Sequence, residues 1–395
     1  MSNLLRVGMK VFGFGIIAIF LVVTFLFTVF PTRPVPENEK ASEKTAQFQE
    51  KTDMSKTEIP QYVHPHNSSI KGIEFNLKNA TEKNAQFQEK TDMTKTEIPK
   101  IELQQYVHPH NSSIKGIKFD LSLHVYSLAM QLMAQLESGK KVETLTMDLL
   151  IEAMAPVTAV SSNHFHELNA HLGDFHRFVP NKTLIVYDLG LTQNEVSSLK
   201  GIDYVEYRKF NVSVYPEHVR NLHSYAFKPL IIQQVLAERG GVLWMDSSVK
   251  IRMSYTKLLE QMVNNSSGFL YYLHPNSHSI LSATQPKMFE YLPMNNLNDM
   301  EFNQPQATGF ITFNTPEMRK FIFKWAILCS LVQDCIIPKG STIYCGSNFP
   351  AKPASGCHRY DQSMFSILVR NEFGSETNRY IIGEKVDFAD VNRMR

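Results

Sequence analysis

A run of four apolar residues, Val242-Leu243-Trp244-Met245, halted by Asp246-Ser247-Ser248, constrains this chain more than any other feature. A short continuous apolar run reads as a strand buried on both faces, the situation of a parallel sheet covered by helices. The preceding residues supply such a helix. The stretch from Tyr225 carries Leu230, Ile231, Val235 and Leu236 at helical spacing, tolerates Pro229 in its first turn, and stops at Gly240-Gly241. A carboxylate and two hydroxyls then fall at the carboxyl end of a buried strand, where open α/β sheets hold ligands. The plain alternative is that Asp246 only caps a turn.

The same alternation runs upstream. Val157–Val160 reads as a strand ending in Ser161, Ser162 and Asn163, and Phe165–Phe178 as a helix. Lys182–Tyr187 is a second strand, ending in Asp188. Thr192 caps a helix through Leu199, with Asn194 and Glu195 in its first turn, and Val205–Phe210 is a third strand. This β-α-β-α-β-α-β order implies a mainly parallel sheet with right-handed crossovers. It gathers Ser161, Ser162, Asn163, Asp188 and Asp246 at one edge. Two helices are expected before it: Leu121, Leu123, Tyr126, Met130, Met133 and Leu136 form an apolar stripe ending near Gly139, and Val142–Met154 is a second helix ended by Pro156.

The N-terminal part has a different character. Arg6 and Lys10 precede an uncharged run, Val11–Phe30, of the length that spans a bilayer. The basic flank keeps residues 1–10 cytosolic, and no small-residue cleavage site follows the run. These features predict a single-pass type II membrane protein: a tail (1–10), a transmembrane signal anchor (11–30), a stem (31–118) and a lumenal domain (119–395). The stem is rich in Glu, Lys, Thr, Gln and Asn and poor in apolar residues, a disordered composition. It contains a duplication: Ala46–Met54 returns as Ala85–Met93, and Tyr62–Ile70 as Tyr106–Ile114. Two copies are too few for a solenoid, and a solvated linker is favoured over metal binding by the His-Pro-His pairs. Glycosylation sequons at Asn67, Asn79, Asn111, Asn181, Asn211, Asn264 and Asn265 agree with a lumenal location. So do four cysteines, Cys329, Cys335, Cys345 and Cys357, expected as two disulfides. Three connectivities are open, with Cys345–Cys357 favoured; the irregular spacing argues against zinc.

A formal net charge of +2 over 395 residues leaves no basic footprint for nucleic acid. No G-x-G-x-x-G follows the first strand, no G-x-x-x-x-G-K-[ST] occurs, and no G-x-S-x-G elbow is present. These absences count against a dinucleotide dehydrogenase or methyltransferase, a P-loop enzyme and an α/β-hydrolase.

The element order, with a short acidic motif after an apolar strand, resembles the GT-A fold of Golgi glycosyltransferases, a Rossmann-like domain that binds nucleotide sugars. Several segments are similar to a family of uncharacterised metazoan proteins, expanded in nematodes, grouped under a domain of unknown function. They are VTAVSSNHFHEL at Val157, LIVYDLGLT at Leu184, FNVSVYPEHVRNLHSYAFKPLIIQQVL at Phe210, VLWMDSSVKI at Val242, TGFITFN at Thr308 and CHRYDQSMFSIL at Cys357. Together they cover roughly residues 155 to 385.

The resemblance implies a nucleotide-sugar donor, a glycan or glycoprotein acceptor, and catalysis by Asp246 and Asp361. Charge grows on the leaving diphosphate as the glycosidic bond breaks, so a cation or fixed dipoles must meet it. GT-A enzymes commonly hold manganese or magnesium on Asp-x-Asp; here Ser248 stands where the second carboxylate would be. Asp246 with His358 or Asp188 would then hold the metal, or Lys228 or Arg359 would neutralise the diphosphate without one. Donor binding is expected of Ser161, Ser162, Asn163, Asp188, Lys228, Asp246 and Ser248. Lys228 sits at a helix start, where phosphates find exposed N–H groups. Thr308-Gly309 resembles the turn that an acceptor sugar approaches, and Cys357–Gln362 is the densest polar cluster in the chain. Arg359, Asp361 and Gln362 are therefore expected at the acceptor, with Asp361 as general base or, more plainly, a helix N-cap. The function expected is sugar transfer in the secretory pathway, with a Golgi station implied only by the resemblance. The alternatives are an inactive relative that binds a glycan or a partner, or another lumenal transferase of methyl or sulfate groups.

Overall fold

The computed structural model describes residues 104–344, 357–383 and 385–393. The expected tail, the anchor at 11–30, the stem up to 103, Asn67, Asn79 and Cys345 lie outside them. The described residues belong to one compact unit, 93–395, and none of their helices is long and apolar enough to cross a membrane.

The stem reading ends earlier than expected. Strand β1 (Gln105–His108) pairs antiparallel with β2 (Asn111–Lys118) in a hairpin made from the second copy of the duplicated motif. Tyr106 is buried, packs edge-on to Trp325 at 5.2 Å and accepts a hydrogen bond from Asn371 Nδ2 at 2.9 Å. Phe119, also buried, lies 5.0 Å from the Tyr291 ring. Gly116 runs so close to the Tyr291 carbonyl that a Cβ there would sit 2.0 Å from its oxygen. Composition hid this hairpin because only a few of its residues, Tyr106 and Phe119 foremost, carry the docking.

Helices α1 (Leu123–Ser138) and α2 (Met147–Ala153) follow. The alternation is then as the sequence predicts: β3 (Met154–Val160), α3 (Phe165–Phe178), β4 (Leu184–Asp188), α4 (Gln193–Lys200), β5 (Val205–Lys209), α5 (Phe227–Arg239) and β6 (Gly241–Met245). Pro156 does not end a helix but lies within β3, opposite Leu243. The ladder from β3 to β4 starts only at Val157, so the missing N–H falls where pairing is one-sided. Thr192 and Glu195 form a reciprocal capping box on α4, and Gly240 closes α5 at φ 89°.

Beyond β6 come β7 (Val249–Ile251), α6 (Thr256–Asn265), β8 (Phe269–Tyr271), β9 (Gly309–Phe313), α7 (Lys324–Leu331), α8 (Asp361–Phe373) and β10 (Ala389–Val391). The main sheet has the order β5-β4-β3-β6-β9-β8. Its first four strands are parallel, and β9 runs antiparallel to both neighbours. It is thus a mixed α/β sheet, mainly parallel. β6 is buried along its whole length: Val242 and Trp244 join one core with α1, α5, α7 and α8, and Leu243 and Met245 join the other with α3 and α6. Cys329 and Cys335 form a disulfide. Cys357 is also disulfide-bonded; its expected partner, Cys345, lies outside the described residues.

Candidate functional site

The carboxyl ends of β3, β4 and β6 open into one cavity of about 640 Å³. Because β9 is antiparallel, its beginning rather than its end reaches this edge, so Ala307 and Thr308 join the lining. The start of α8 closes the opposite wall with Arg359, Tyr360, Asp361 and Gln362.

Lys228, in the first turn of α5, is the centre of the site. Its ammonium is buried, 3.1 Å from Asp246 Oδ1 and 2.6 Å from Asp361 Oδ2. It also donates to the Ala307 carbonyl at 3.1 Å and faces the rings of Trp244 and Tyr225 at 5.4 and 5.7 Å. Burial alone would depress the lysine pKa, but the two carboxylates overcome that and hold it above the ordinary range. Lys228 lines the cavity as expected, with its charge shared between two carboxylates.

Asp246 accepts from Trp244 Nε1 at 2.8 Å as well as from Lys228, and its backbone N–H donates to the Thr308 carbonyl at 2.9 Å. Asp361 is the first residue of α8, following Tyr360 at φ 48°. Burial pushes its carboxyl upward and Lys228 draws it back, with the balance above the usual carboxylate value. Tyr225, at φ 52°, also lines the cavity, and its ring lies 6.0 Å from that of Tyr360. Two left-handed non-glycine residues on one cavity wall are a form of strain that folds retain at functional sites.

Ser161, Ser162, Asn163 and Ser248 line the cavity, as do Thr308, Arg359 and Gln362. Ser161 Oγ donates to Asn163 Oδ1 at 2.6 Å. The Ser162 hydroxyl is committed to Glu195 of the α4 capping box. Gln362 Nε2 lies 3.4 Å from His278 Nε2. The guanidinium of Arg359 has its Nε buried without a hydrogen-bond partner among the described residues.

Three expected residues are placed elsewhere. Asp188 does not line the cavity: Gly190 and Leu191 donate their N–H groups to its Oδ1, both at 2.7 Å, and Tyr207 donates to Oδ2 at 2.7 Å. Burial would raise its pKa, but these donors together hold it below the ordinary value. Its role is to shape the turn after β4. Gly309 faces the Tyr272 ring, which a Cβ would meet at 2.4 Å. The glycine admits that tyrosine, whose hydroxyl donates to the Trp244 carbonyl at 2.6 Å, and it does not line the cavity. His358 is fully buried, accepting at Nδ1 from the Gln285 N–H (3.2 Å) and lying 3.1 Å from the Ile336 carbonyl at Nε2. Burial lowers its pKa to about 4.

These contacts decide the fit of a divalent cation. Asp246 Oδ1 is shared by an indole and an ammonium, Asp361 is paired with the same ammonium, and His358 and Asp188 have no free donor atom. Among the described residues no group of three or more His, Cys, Asp or Glu is arranged to hold a metal ion. The expected metal ligands do not fit a metal.

Other residues in the cavity carried no clear sequence signal. Glu167, buried at the start of α3, accepts from Ser247 Oγ at 3.1 Å and lies 3.2 Å from His164 Nδ1. The spacing of His164 and Glu167, directly after the polar strand end, was the available hint. Arg393 reaches the cavity because β10 pairs with β7 and Asn392 N–H donates to the Ser248 carbonyl at 2.8 Å. No local pattern announces that return.

A family model described as "Protein of unknown function (DUF1647)" matches residues 104–233. No curated protein matches. Among solved structures, galactosyltransferase LgtC in complex with donor and acceptor sugar analogues is 14% identical, over 56% of this chain and 70% of that one, at a TM-score of 0.33. Mannosyltransferase Ktr4p of S. cerevisiae in complex with GDP is 9% identical, over 52% and 70%, at 0.31. Core-mannan synthase A of Aspergillus fumigatus in its Mn/GDP form is 10% identical, over 45% and 64%, at 0.32. At these scores the likeness carries no weight for activity, and the reading of the site stands on its own geometry.

Proposed function

We propose that this protein is a glycosyltransferase, moving a sugar from a nucleotide-sugar donor to a glycan or glycoprotein acceptor. One observation carries the reading. Two acidic residues distant in sequence, Asp246 and Asp361, meet at the carboxyl edge of a mainly parallel sheet, in a cavity of a size suited to a small ligand. Ser161 and Asn163 at the end of β3 supply hydrogen bonds for a nucleotide, and Thr308 and Gln362 for an acceptor. Asp361 is the general base in this reading, since burial raises its carboxyl above the ordinary carboxylate value. The exposed sequons Asn181, Asn211 and Asn264 and the buried disulfide agree with the secretory pathway. A type II topology from the anchor at 11–30 is part of the same proposal.

The test is thermal shift of the full chain against a panel of nucleotide sugars, followed by an assay for nucleoside diphosphate release. A ligand that binds only the folded state at about a hundred times its Kd stabilises by about 2.7 kcal/mol. One nucleotide sugar should raise the midpoint, and Asp246→Ala should abolish the shift. No shift with any nucleotide sugar, in a chain that unfolds cooperatively, would sink the reading. A second reading, an inactive binding protein, is favoured by the engagement of both carboxylates with Lys228. Nucleotide binding without turnover on any acceptor would select it.

A further inference from the structure

The proposed reaction places growing negative charge on a diphosphate, and the expected metal ligands do not fit a metal. The charge must be met by something else in the cavity. Among the described residues, three lysine or arginine side chains line it: Lys228, Arg359 and Arg393. Lys228 is bound to Asp246 and Asp361, so its single charge offsets part of the negative charge that would otherwise repel an anion. The two arginines are differently placed. They belong to opposite ends of the C-terminal region, one beside α8 and one beyond β10, yet both line the same cavity. Like charges gathered in a cavity, one with a buried Nε lacking a hydrogen-bond partner among the described residues, are arranged for a shared anion.

We infer that this cavity takes the diphosphate of its donor without a divalent cation: Arg359 and Arg393 clamp the phosphates, and the Lys228 ammonium holds Asp246 and Asp361 in the place of a metal. The inference rests on the glycosyltransferase reading and deepens it. It makes Lys228 a positioning residue and the two arginines donor-binding residues. The pair was brought together only by the β7–β10 ladder.

The experiment titrates the full chain with inorganic pyrophosphate, UDP and GDP by calorimetry, in EDTA and then in excess Mn²⁺. One of these ligands should bind in EDTA, and Mn²⁺ should change its Kd by less than about twofold. Arg359→Ala and Arg393→Ala should each weaken that binding roughly 10- to 150-fold, the loss of one charge-assisted hydrogen-bonding group. Lys228→Met leaves two uncompensated carboxylates, so this variant should bind Mn²⁺, read by the loss of the free Mn²⁺ paramagnetic resonance signal, where the parent chain does not. If Lys228→Met does not fold, the parent chain in EDTA still decides. Binding that vanishes in EDTA and returns with Mn²⁺ overturns the metal-free clamp while leaving the transferase reading intact. Binding of none of the three ligands under either condition overturns both.

Discussion

Lys228 and Asp361 lie 2.6 Å apart, both buried, joining the first turn of α5 to the first residue of α8. The pair ties two helices that pack on the same face of the sheet, and Asp246 on β6 shares the ammonium. A buried ion pair adds little net stability over an apolar pair, but removal of one partner strands the other.

Lys228→Met should therefore destabilise the chain by about 3–5 kcal/mol, because Asp361 is left charged or forced to take a proton inside the fold. Adding Asp361→Leu should recover part of that loss. Urea unfolding of the parent, the single variants and the double variant checks this; a double variant no more stable than Lys228→Met alone would argue against the pairing.

Asp188→Asn should cost about 1–3 kcal/mol at neutral pH, since the donors of Gly190, Leu191 and Tyr207 lose a charged acceptor. The carboxylate's folded pKa is depressed, so its contribution is present above the unfolded value, near 3.8, and is lost as pH falls through the folded value. The gap between parent and variant should be full at pH 7 and shrink as the pH is taken below about 4. A gap independent of pH would show that the charge is not what matters. Nucleotide binding should survive the substitution, because Asp188 does not line the cavity.

The domain boundary is testable by truncation. A fragment beginning at residue 104 keeps the β1–β2 hairpin; one beginning at 119 uncovers Trp325, Tyr291 and Asn371. The shorter fragment should melt at a lower temperature, and Tyr106→Ala in the longer one should cost about 3–5 kcal/mol. Gln61–Ile73 repeats Gln105–Ile117 residue for residue. Replacing 105–121 by the sequence of 61–77, which alters only Lys118→Glu and Asp120→Asn, should leave the melting temperature nearly unchanged. A large drop would mean that those two charges, and not the shared residues, seat the hairpin.

The Cys329–Cys335 bridge closes a short loop in a fully buried position. Loop-closure entropy for so short a span gives about 2–3 kcal/mol. Cys329→Ala with Cys335→Ala should lower stability by that amount and leave the nucleotide affinity of the cavity unaltered, which differential scanning calorimetry and the nucleotide titration together would establish.

Local pattern determined much of this protein. The apolar run Val242–Met245, the cap at Thr192 and the glycine stop at Gly240 specify elements because each obeys a rule acting over a few residues. The meeting of Asp246 with the α8 cluster was anticipated only as residue types suited to one site. The tertiary structure decided what those residues do. Asp188 and His358 carry the right chemistry for a site, yet their polar atoms are spent on neighbouring backbone and a tyrosine. Gly309 serves a ring from another strand. Lys228 became the centre of the cavity through partners that a helical pattern cannot reveal, and Arg393 arrived by a strand pairing at the far end of the chain. Periodicity records which face of an element is apolar; it carries no record of which distant side chain will satisfy a buried charge, because that depends on how the elements pack.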